Sequence, residues 1–84
     1  MITARQTRAA RALLGWTQET LAEKALVSLT ALKRLESESG LKVYETTRDQ
    51  VRRALEANGI VFLNSDQGEG VMFVRAKIDS RRSP

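Results

Sequence analysis

The side chains in this sequence that could do chemistry are cations, hydroxyls and amides at helical spacing. Its 84 residues include no cysteine and no histidine, so thiolate nucleophiles, imidazole bases and the metal ligands that these residues supply are missing. We therefore expect no enzymatic activity, no metal site and no cofactor. The net charge of +4 and a pI near 10.1 favour a polyanionic binding partner instead.

One group of side chains has the spacing and the chemistry to meet such a partner. A helix that starts at Leu29 would place Leu29, Thr30, Lys33 and Arg34 on its outward side. The major groove of DNA admits one α-helix, in which Arg or Lys pairs with guanine and an apolar group touches a thymine methyl. The alternative is a plain helical hairpin, which leaves an exposed leucine at a helix start unexplained.

Capping signals divide the chain up to Gly59 into four predicted helices. Thr3 and Gln6 have the spacing of a capping box, and Thr17 and Ser28 are small polar residues that precede apolar helical patterns. Thr46 with Asp49 forms a fourth capping pair, and residues 40–45 form a surface connection before it. The predicted helices cover about residues 4–14, a segment from residue 18, about residues 29–37, and a segment from residue 46 to the glycine at 59.

The sequence pattern changes after the fourth predicted helix. Residues 60–63 and 71–74 are short apolar runs rich in β-branched and aromatic side chains, and a turn-rich loop over residues 65–70 joins them. This pattern predicts a β-hairpin. Because both runs are apolar on both faces, one helical layer of a single chain cannot cover them. The predicted contacts of a homodimer are Ile60, Val61, Phe62, Leu63, Val71, Met72, Phe73 and Val74.

Residues 18–36, QETLAEKALVSLTALKRLE, resemble the Xre family of bacterial and phage regulators, which includes the phage Cro and repressor proteins. Gln18 matches the glutamine that begins the family's second helix, and Glu36 matches the acidic residue that ends its third. The apolar core positions of the family are occupied by Leu21, Ala22, Ala25, Val27, Leu32 and Leu35. The resemblance covers residues 3 to about 58. With the hairpin, it implies a mainly α fold: a four-helix Xre-type helix-turn-helix domain followed by a C-terminal β-hairpin.

The resemblance also implies a role for individual residues. The implied base contacts are Leu29, Thr30, Lys33 and Arg34, with Lys33 nearer the groove wall. Phosphate contacts are expected at or near helix starts, where free amides and the helix dipole favour an anion, from Gln18, Thr17, Ser28 and Arg48. An ordinary polar residue in a first turn explains Gln18 equally well. A solvated helix face is the alternative for Arg48 together with Arg52 and Arg53.

Two further positions bear on the geometry of the motif. Arg11 and Glu36 match a buried ion pair that links the first and third helices of the family, and such a pair specifies geometry more than it stabilises. Leu26 stands where the family usually has glycine in the turn. A left-handed conformation costs a non-glycine residue about 1–2 kcal/mol. Either the turn is rearranged or the strain is tolerated.

These observations divide the chain into three parts. We predict a helix-turn-helix DNA-binding domain over residues 1–59, a β-hairpin dimerisation element over residues 60–78 and a disordered basic tail over residues 79–84. The first residues lack the pattern of a signal peptide, and no apolar run reaches the roughly 18 residues that span a bilayer. We therefore expect a cytoplasmic protein without a membrane partner.

The expected function is that of a transcriptional regulator, a repressor rather than an activator, which binds a palindromic double-stranded DNA operator as a homodimer. The alternative from another class is an antitoxin-type interaction protein that binds a partner enzyme and its own promoter. RNA binding is less favoured, because single-strand readers display several stacking aromatic side chains and this chain has four aromatic residues, mostly in apolar runs.

Overall fold

The computed structural model describes residues 2–37 and 42–75, which form four helices followed by one antiparallel hairpin. The helices are α1 (Ala4–Leu14), α2 (Gln18–Ala25), α3 (Leu29–Glu36) and α4 (Glu45–Ala57). The strands are β1 (Ile60–Ser65) and β2 (Gly68–Phe73). The predicted fold class is confirmed. Among these residues, no helix is both long and apolar enough to cross a membrane.

Some of the sequence predictions fall outside the described residues. The basic tail at 79–84, the last positions of the dimerisation element at 76–78 and the first part of the surface connection at 40–41 all lie there.

Local capping sets the start of the first three helices. The Thr3 hydroxyl accepts from the Gln6 amide at 3.1 Å, and the Gln6 side-chain oxygen accepts from the Thr3 amide at the same distance. Thr17 caps α2 through the Thr20 amide at 3.1 Å, and Ser28 caps α3 in the same way. Each of these hydroxyls satisfies an amide that the helix itself leaves unpaired.

Helix α4 begins differently from the prediction. Its cap position is Tyr44, which makes no side-chain cap hydrogen bond, and the helix starts at Glu45. The predicted capping pair of Thr46 and Asp49 is therefore wrong, because both residues already lie inside the helix. The helix is held instead by the packing of its inner face, where Val51 and Leu55 are fully buried.

The core lies where the helices meet the inner face of the hairpin. Its buried apolar side chains are Ile2, Ala10, Leu21, Ala22, Ala25, Leu32, Leu35, Val51, Leu55 and Ile60. Sequence analysis did not identify Ile2, because it precedes the first helix and takes no part in a periodic pattern. Its side chain is only 2% exposed, and its carbonyl accepts from Arg48 Nη1 at 2.7 Å.

The hairpin is tighter than the sequence predicted. Ile60 pairs with Phe73 at one end, and Ser65 pairs with Gly68 at the other. The predicted six-residue loop is therefore wrong, because most of it lies in the strands and the connection is only residues 66–67. The Ser65 hydroxyl accepts from the Gln67 amide at 3.1 Å, which supports a turn of this length.

The two faces of the hairpin have different environments. Cross-strand partners share a face. The inner face, which packs on the core, carries Ile60, Phe62, Val71 and Phe73. The outer face carries Val61, Leu63 and Met72, which are 38%, 47% and 48% exposed, and the alternation places half-buried Val74 with them. Placing Ile60 in a dimer interface was wrong, because its own chain buries it to 2% exposure.

The turn between α2 and α3 keeps the conformation that suits glycine. Leu26 has φ 59° and ψ 42°, in the left-handed region, and its amide donates to the Glu23 carbonyl at 3.3 Å. Its side chain is 83% exposed, so little packing compensates for the strain. The turn is thus not rearranged, and the strain is tolerated.

We expect Leu26→Gly to leave stability unchanged or to raise it by about 0.5–1 kcal/mol. Glycine relieves about 1–2 kcal/mol of strain, while the more flexible unfolded chain offsets about 0.4–1 kcal/mol of it. Urea unfolding measures the difference. Leu26→Ala is the control, because alanine keeps the Cβ that causes the strain and should bring no such gain. A loss of more than about 1 kcal/mol for the glycine variant contradicts this account.

Candidate nucleic-acid interface

A buried carboxylate joins the first three helices. Glu36, at the end of α3, is 4% exposed, and both of its oxygens accept from Arg11 of α1: Nε lies 2.9 Å from Oε2, and Nη2 lies 2.8 Å from Oε1. Gln18, at the start of α2, donates to Oε1 at 3.1 Å. The hydrogen bond to Glu36 raises the pKa of Arg11 above its ordinary value. The guanidinium therefore stays charged.

The same cluster includes backbone groups. Arg11 Nη1 donates to the Trp16 carbonyl at 3.1 Å, between α1 and α2, and Arg8 donates to the Glu36 carbonyl. A bidentate guanidinium–carboxylate pair fixes direction as well as distance. The angle of α3 relative to α1 and α2 is thus held by directional polar contacts in addition to apolar packing.

Helix α3 presents a mixed polar face to solvent. Thr30, Lys33 and Arg34 are exposed, as the helical spacing predicts. Leu29 is only half-exposed and packs in part against the core. Leu29 is therefore less exposed than the sequence predicted, and less of its side chain is available to a base.

A cleft of about 230 Å³ lies between this face and the segment that enters α4. Thr30 and Arg34 line one wall, and Lys42, Tyr44 and Thr47 line the other. The Lys42 ammonium lies 5.8 Å from the centre of the Tyr44 ring, and Tyr44 is 67% exposed. These three residues were not among the predicted site residues, although a lysine and an aromatic side chain in the segment between α3 and α4 could have indicated them.

Charge pairing differs among the cations of the described chain. Arg5, Arg11, Arg48, Arg52 and Arg53 each have a carboxylate partner within 4 Å. Among the described residues, no carboxylate pairs with Lys33, Arg34 or Lys42, nor with Lys24, which lies over the Trp16 ring, or Arg75, which follows β2. Three cations free of such partners therefore lie on or beside the outward face of α3, where they can neutralise phosphates.

The residues assigned to phosphate contacts lie in different surroundings. Thr17 and Ser28 are exposed at the starts of α2 and α3. The oxygen of each hydroxyl accepts from its helix, and an accepting hydroxyl still has a proton to donate. Gln18 directs one N–H to Glu36, and its amide nitrogen carries a second.

Arg48 is held by contacts within its own chain. Its Nη1 donates to the Ile2 carbonyl at 2.7 Å, its Nε lies 3.4 Å from the Glu45 carboxylate, and its side chain is 20% exposed. Its Nε is buried without a hydrogen-bond partner in the part of the chain that the structure describes. The contacts with Ile2 and Glu45 tether the N-terminal residues and argue against a phosphate contact for Arg48, which stays an untested prediction.

Comparison with known proteins identifies the class of the domain. The helix-turn-helix family described as HTH_3 matches residues 8–42, which include most of α1 and all of α2 and α3. This segment is a helix-turn-helix, a DNA-binding regulatory domain. Within that class it is of the Xre and Cro-repressor type, as the resemblance predicted. Neither the curated proteins nor the solved structures provide a significant match.

We expect the two halves of the buried ion pair to differ in their effect on stability. Arg11→Met leaves a carboxylate that is almost fully buried without its charged partner, which should cost about 3–5 kcal/mol. Glu36→Gln leaves a guanidinium that is 22% exposed and can be partly hydrated, so its cost should be smaller, about 1–3 kcal/mol.

Urea unfolding of both variants measures which of them loses more stability. Arg53→Met is the matched control, because Arg53 pairs with Asp49 on the surface at 74% exposure. Its loss should change stability by less than about 1 kcal/mol. Equal losses for the Arg11 and Glu36 variants would mean that the carboxylate reaches water when its partner is removed.

Proposed function

We propose that this protein is a transcriptional repressor that binds a palindromic double-stranded DNA operator as a homodimer in the cytoplasm. The observation that carries the proposal is the outward face of α3, where Lys33 and Arg34 have no carboxylate partner among the described residues. A helix of this type enters the major groove while phosphate contacts hold its register. Repression needs only occupancy of an operator that overlaps a promoter.

Base recognition is assigned to the exposed side of α3. Arg34 can donate two hydrogen bonds to guanine N7 and O6, and the Thr30 hydroxyl can donate or accept at a neighbouring base. Lys33 lies on the same side, closer to the groove wall. The exposed part of Leu29 is the contact for a thymine methyl.

Phosphate contacts are assigned to both sides of this helix. Thr17, Gln18 and Ser28 lie at the starts of α2 and α3, where unpaired amides and the helix dipole favour an anion. Lys42 and Tyr44, across the cleft from Arg34, add a cation and a phenol hydroxyl at the other side. One strand of the DNA backbone would then follow each side of α3, which fixes its depth in the groove.

The homodimer is assigned to the outer face of the hairpin. Val61, Leu63 and Met72 are exposed apolar side chains on one sheet face, while the inner face already packs against the same chain's helices. Clustered exposed apolar side chains are a mark of protein interaction surfaces. A two-fold dimer would place two copies of α3 about 34–36 Å apart, or at a multiple of one DNA turn.

The exposed outer face of the hairpin also supports a second candidate function. An antitoxin-type protein would use it to bind a partner enzyme while the helix-turn-helix binds the promoter. Expression from the native locus followed by purification separates the two proposals. A stoichiometric second polypeptide supports the antitoxin, and a pure homodimer supports the repressor.

Removing single contacts should separate base recognition from phosphate binding. Arg34→Ala should weaken the preferred operator by about 1–3 kcal/mol and relax sequence preference at one or two positions. Lys42→Ala should weaken all duplexes and lower the slope of log affinity against log salt by about one per subunit, hence about two in a dimer, without changing preference.

DNA selection, followed by titrations of the selected and a scrambled duplex at several salt concentrations, measures both effects. Arg48→Met is the matched control, because it removes a cation that is bound to Ile2 and Glu45, and the salt slope should stay the same. If Arg34→Ala weakens both duplexes equally, Arg34 contacts the backbone and base recognition rests on Thr30, Lys33 and Leu29.

A charge on the outer hairpin face should break the dimer without unfolding the subunit. In Met72→Lys the long side chain can reach water in the monomer, but a dimer interface would bury its ammonium without a partner. We expect a monomer by sedimentation equilibrium with an unchanged circular dichroism spectrum. Gln67→Lys, in the exposed turn of the same hairpin, should remain dimeric. If Met72→Lys remains a dimer, the subunits associate through another surface.

A further inference from the structure

A buried amide connects α1 to both strands of the hairpin. Gln6 is 2% exposed, and its Nε2 lies 3.2 Å from the Leu63 carbonyl, 3.0 Å from the Gly70 carbonyl and 3.3 Å from Asn64 Oδ1. Leu63 and Gly70 are cross-strand partners. A single side chain of the helical domain therefore contacts the hairpin at one register position from both strands.

A second attachment lies on the surface beside the first. Glu69 Oε1 accepts from the Thr3 hydroxyl at 2.9 Å and from Arg5 Nε at 3.2 Å. Glu69 is the cross-strand partner of Asn64, so it lies one residue pair further along the hairpin. Two attachments at neighbouring register positions oppose rotation of the hairpin on α1, which one attachment would allow.

Apolar packing alone would not define the angle between the hairpin and α1. Phe62, Val71 and Phe73 pack against the core but remain partly exposed, and burial of apolar surface has no preferred direction. Hydrogen bonds require both a distance and an angle. The polar attachments therefore select one orientation among those that bury a similar apolar area.

The other half of α1 is attached to the recognition helix. Arg11 forms the bidentate pair with Glu36 at the end of α3, five residues after Gln6 on the same helix. A straight α-helix advances about 1.5 Å per residue and is stiff over this length. A fixed angle between the hairpin and α1 therefore becomes a fixed position of α3 relative to the hairpin.

We propose that Gln6 is the positioning residue that sets the spacing between the two recognition helices of the dimer, with the Glu69 contacts as a second attachment. The inference rests on the proposed dimerisation through the hairpin and on DNA recognition by α3. A hairpin whose angle to α1 is less firmly fixed still forms a dimer, and each subunit still recognises its half-site. The dimer then no longer prefers one distance between half-sites.

The experiment uses the full chain and a series of duplexes with two copies of the selected half-site. The distance between half-site centres is varied by single base pairs around about 10 bp, one turn of DNA. A duplex with a single half-site measures recognition by one subunit. Sedimentation of the free protein reports whether each variant is a dimer, and circular dichroism reports whether it is folded.

For the wild type we expect one sharply preferred spacing. Gln6→Met keeps the length of the side chain and removes both its donor to the hairpin and the oxygen that accepts from the Thr3 amide in the capping box. It should lower the preference for that spacing roughly five- to tenfold, the effect of one or two lost hydrogen bonds. Affinity for the single half-site and the dimeric state should be unchanged. Glu69→Ala should also weaken the preference for one spacing, but less than Gln6→Met, so that the profile of affinity against spacing broadens less.

Thr7→Val is the matched control. Thr7 is fully buried on the next position of α1, and its hydroxyl donates to the Thr3 carbonyl at 2.9 Å, within the helix and away from the hairpin. This variant loses a buried hydrogen bond of similar size, so it should lower thermal stability while the spacing profile stays narrow.

The outcomes distinguish this inference from the function on which it rests. If the wild type binds no DNA or shows no preferred spacing, the proposed dimeric regulator is wrong and the inference fails with it. If the wild type has a narrow profile and Gln6→Met keeps it, the function stands and the positioning role is wrong. Should Gln6→Met fail to fold, the surface variant Glu69→Ala decides, and an unchanged profile overturns the proposal.

Discussion

The helix-turn-helix of this protein depends on the hydrogen bonding of one buried carboxylate. A charge at the position of Glu36 would be costly in an apolar core without donors, and the surrounding helices supply them from Arg11 and Gln18. Because these donors belong to α1 and α2, the carboxylate can be satisfied only when three helices meet at one relative orientation. The orientation of α3 therefore follows from an electrostatic requirement in the core as well as from the packing of leucines and alanines.

The surface charges of α4 and of α3 differ in whether they are paired. On α4, Arg52 and Arg53 pair with Asp49, and such exposed pairs contribute little to stability while they neutralise each other. Near α3, the cations have no carboxylate among the described residues, which leaves their charge available to an external anion.

The hairpin has two functions on its two faces. Its inner side chains, such as Ile60 and Phe73, complete the core of the helical domain, while its outer face remains apolar and exposed. The join between α4 and β1 is tight: Gly59 has φ 98°, and a Cβ there would lie 2.9 Å from the ring of Phe73. The hairpin is thus part of the folding unit, and removing it would damage the core as well as any interface.

The sequence by itself determined the features that depend on near neighbours along the chain. The starts of α1, α2 and α3 and the exposed polar side chains of α3 all follow from interactions within a few residues, such as a hydroxyl and an amide three positions away, whereas the left-handed conformation of Leu26 was decided by the structure. Arg11 and Glu36, which pair with each other, are 25 positions apart. Their contact was accessible from the sequence only through the family resemblance.

Only the tertiary structure decided which way the remaining side chains face. The Glu45 carboxylate three positions before Arg48 is a local partner, but the hydrogen bond of Arg48 to the Ile2 carbonyl joins residues 46 positions apart, so no local pattern could show it. The same holds for the two faces of the hairpin, since a doubly apolar strand does not reveal which side meets the helices. The start of α4 and the cleft beside Tyr44 likewise depend on packing between segments that are distant in the sequence. A pattern of neighbouring residues does not predict such contacts.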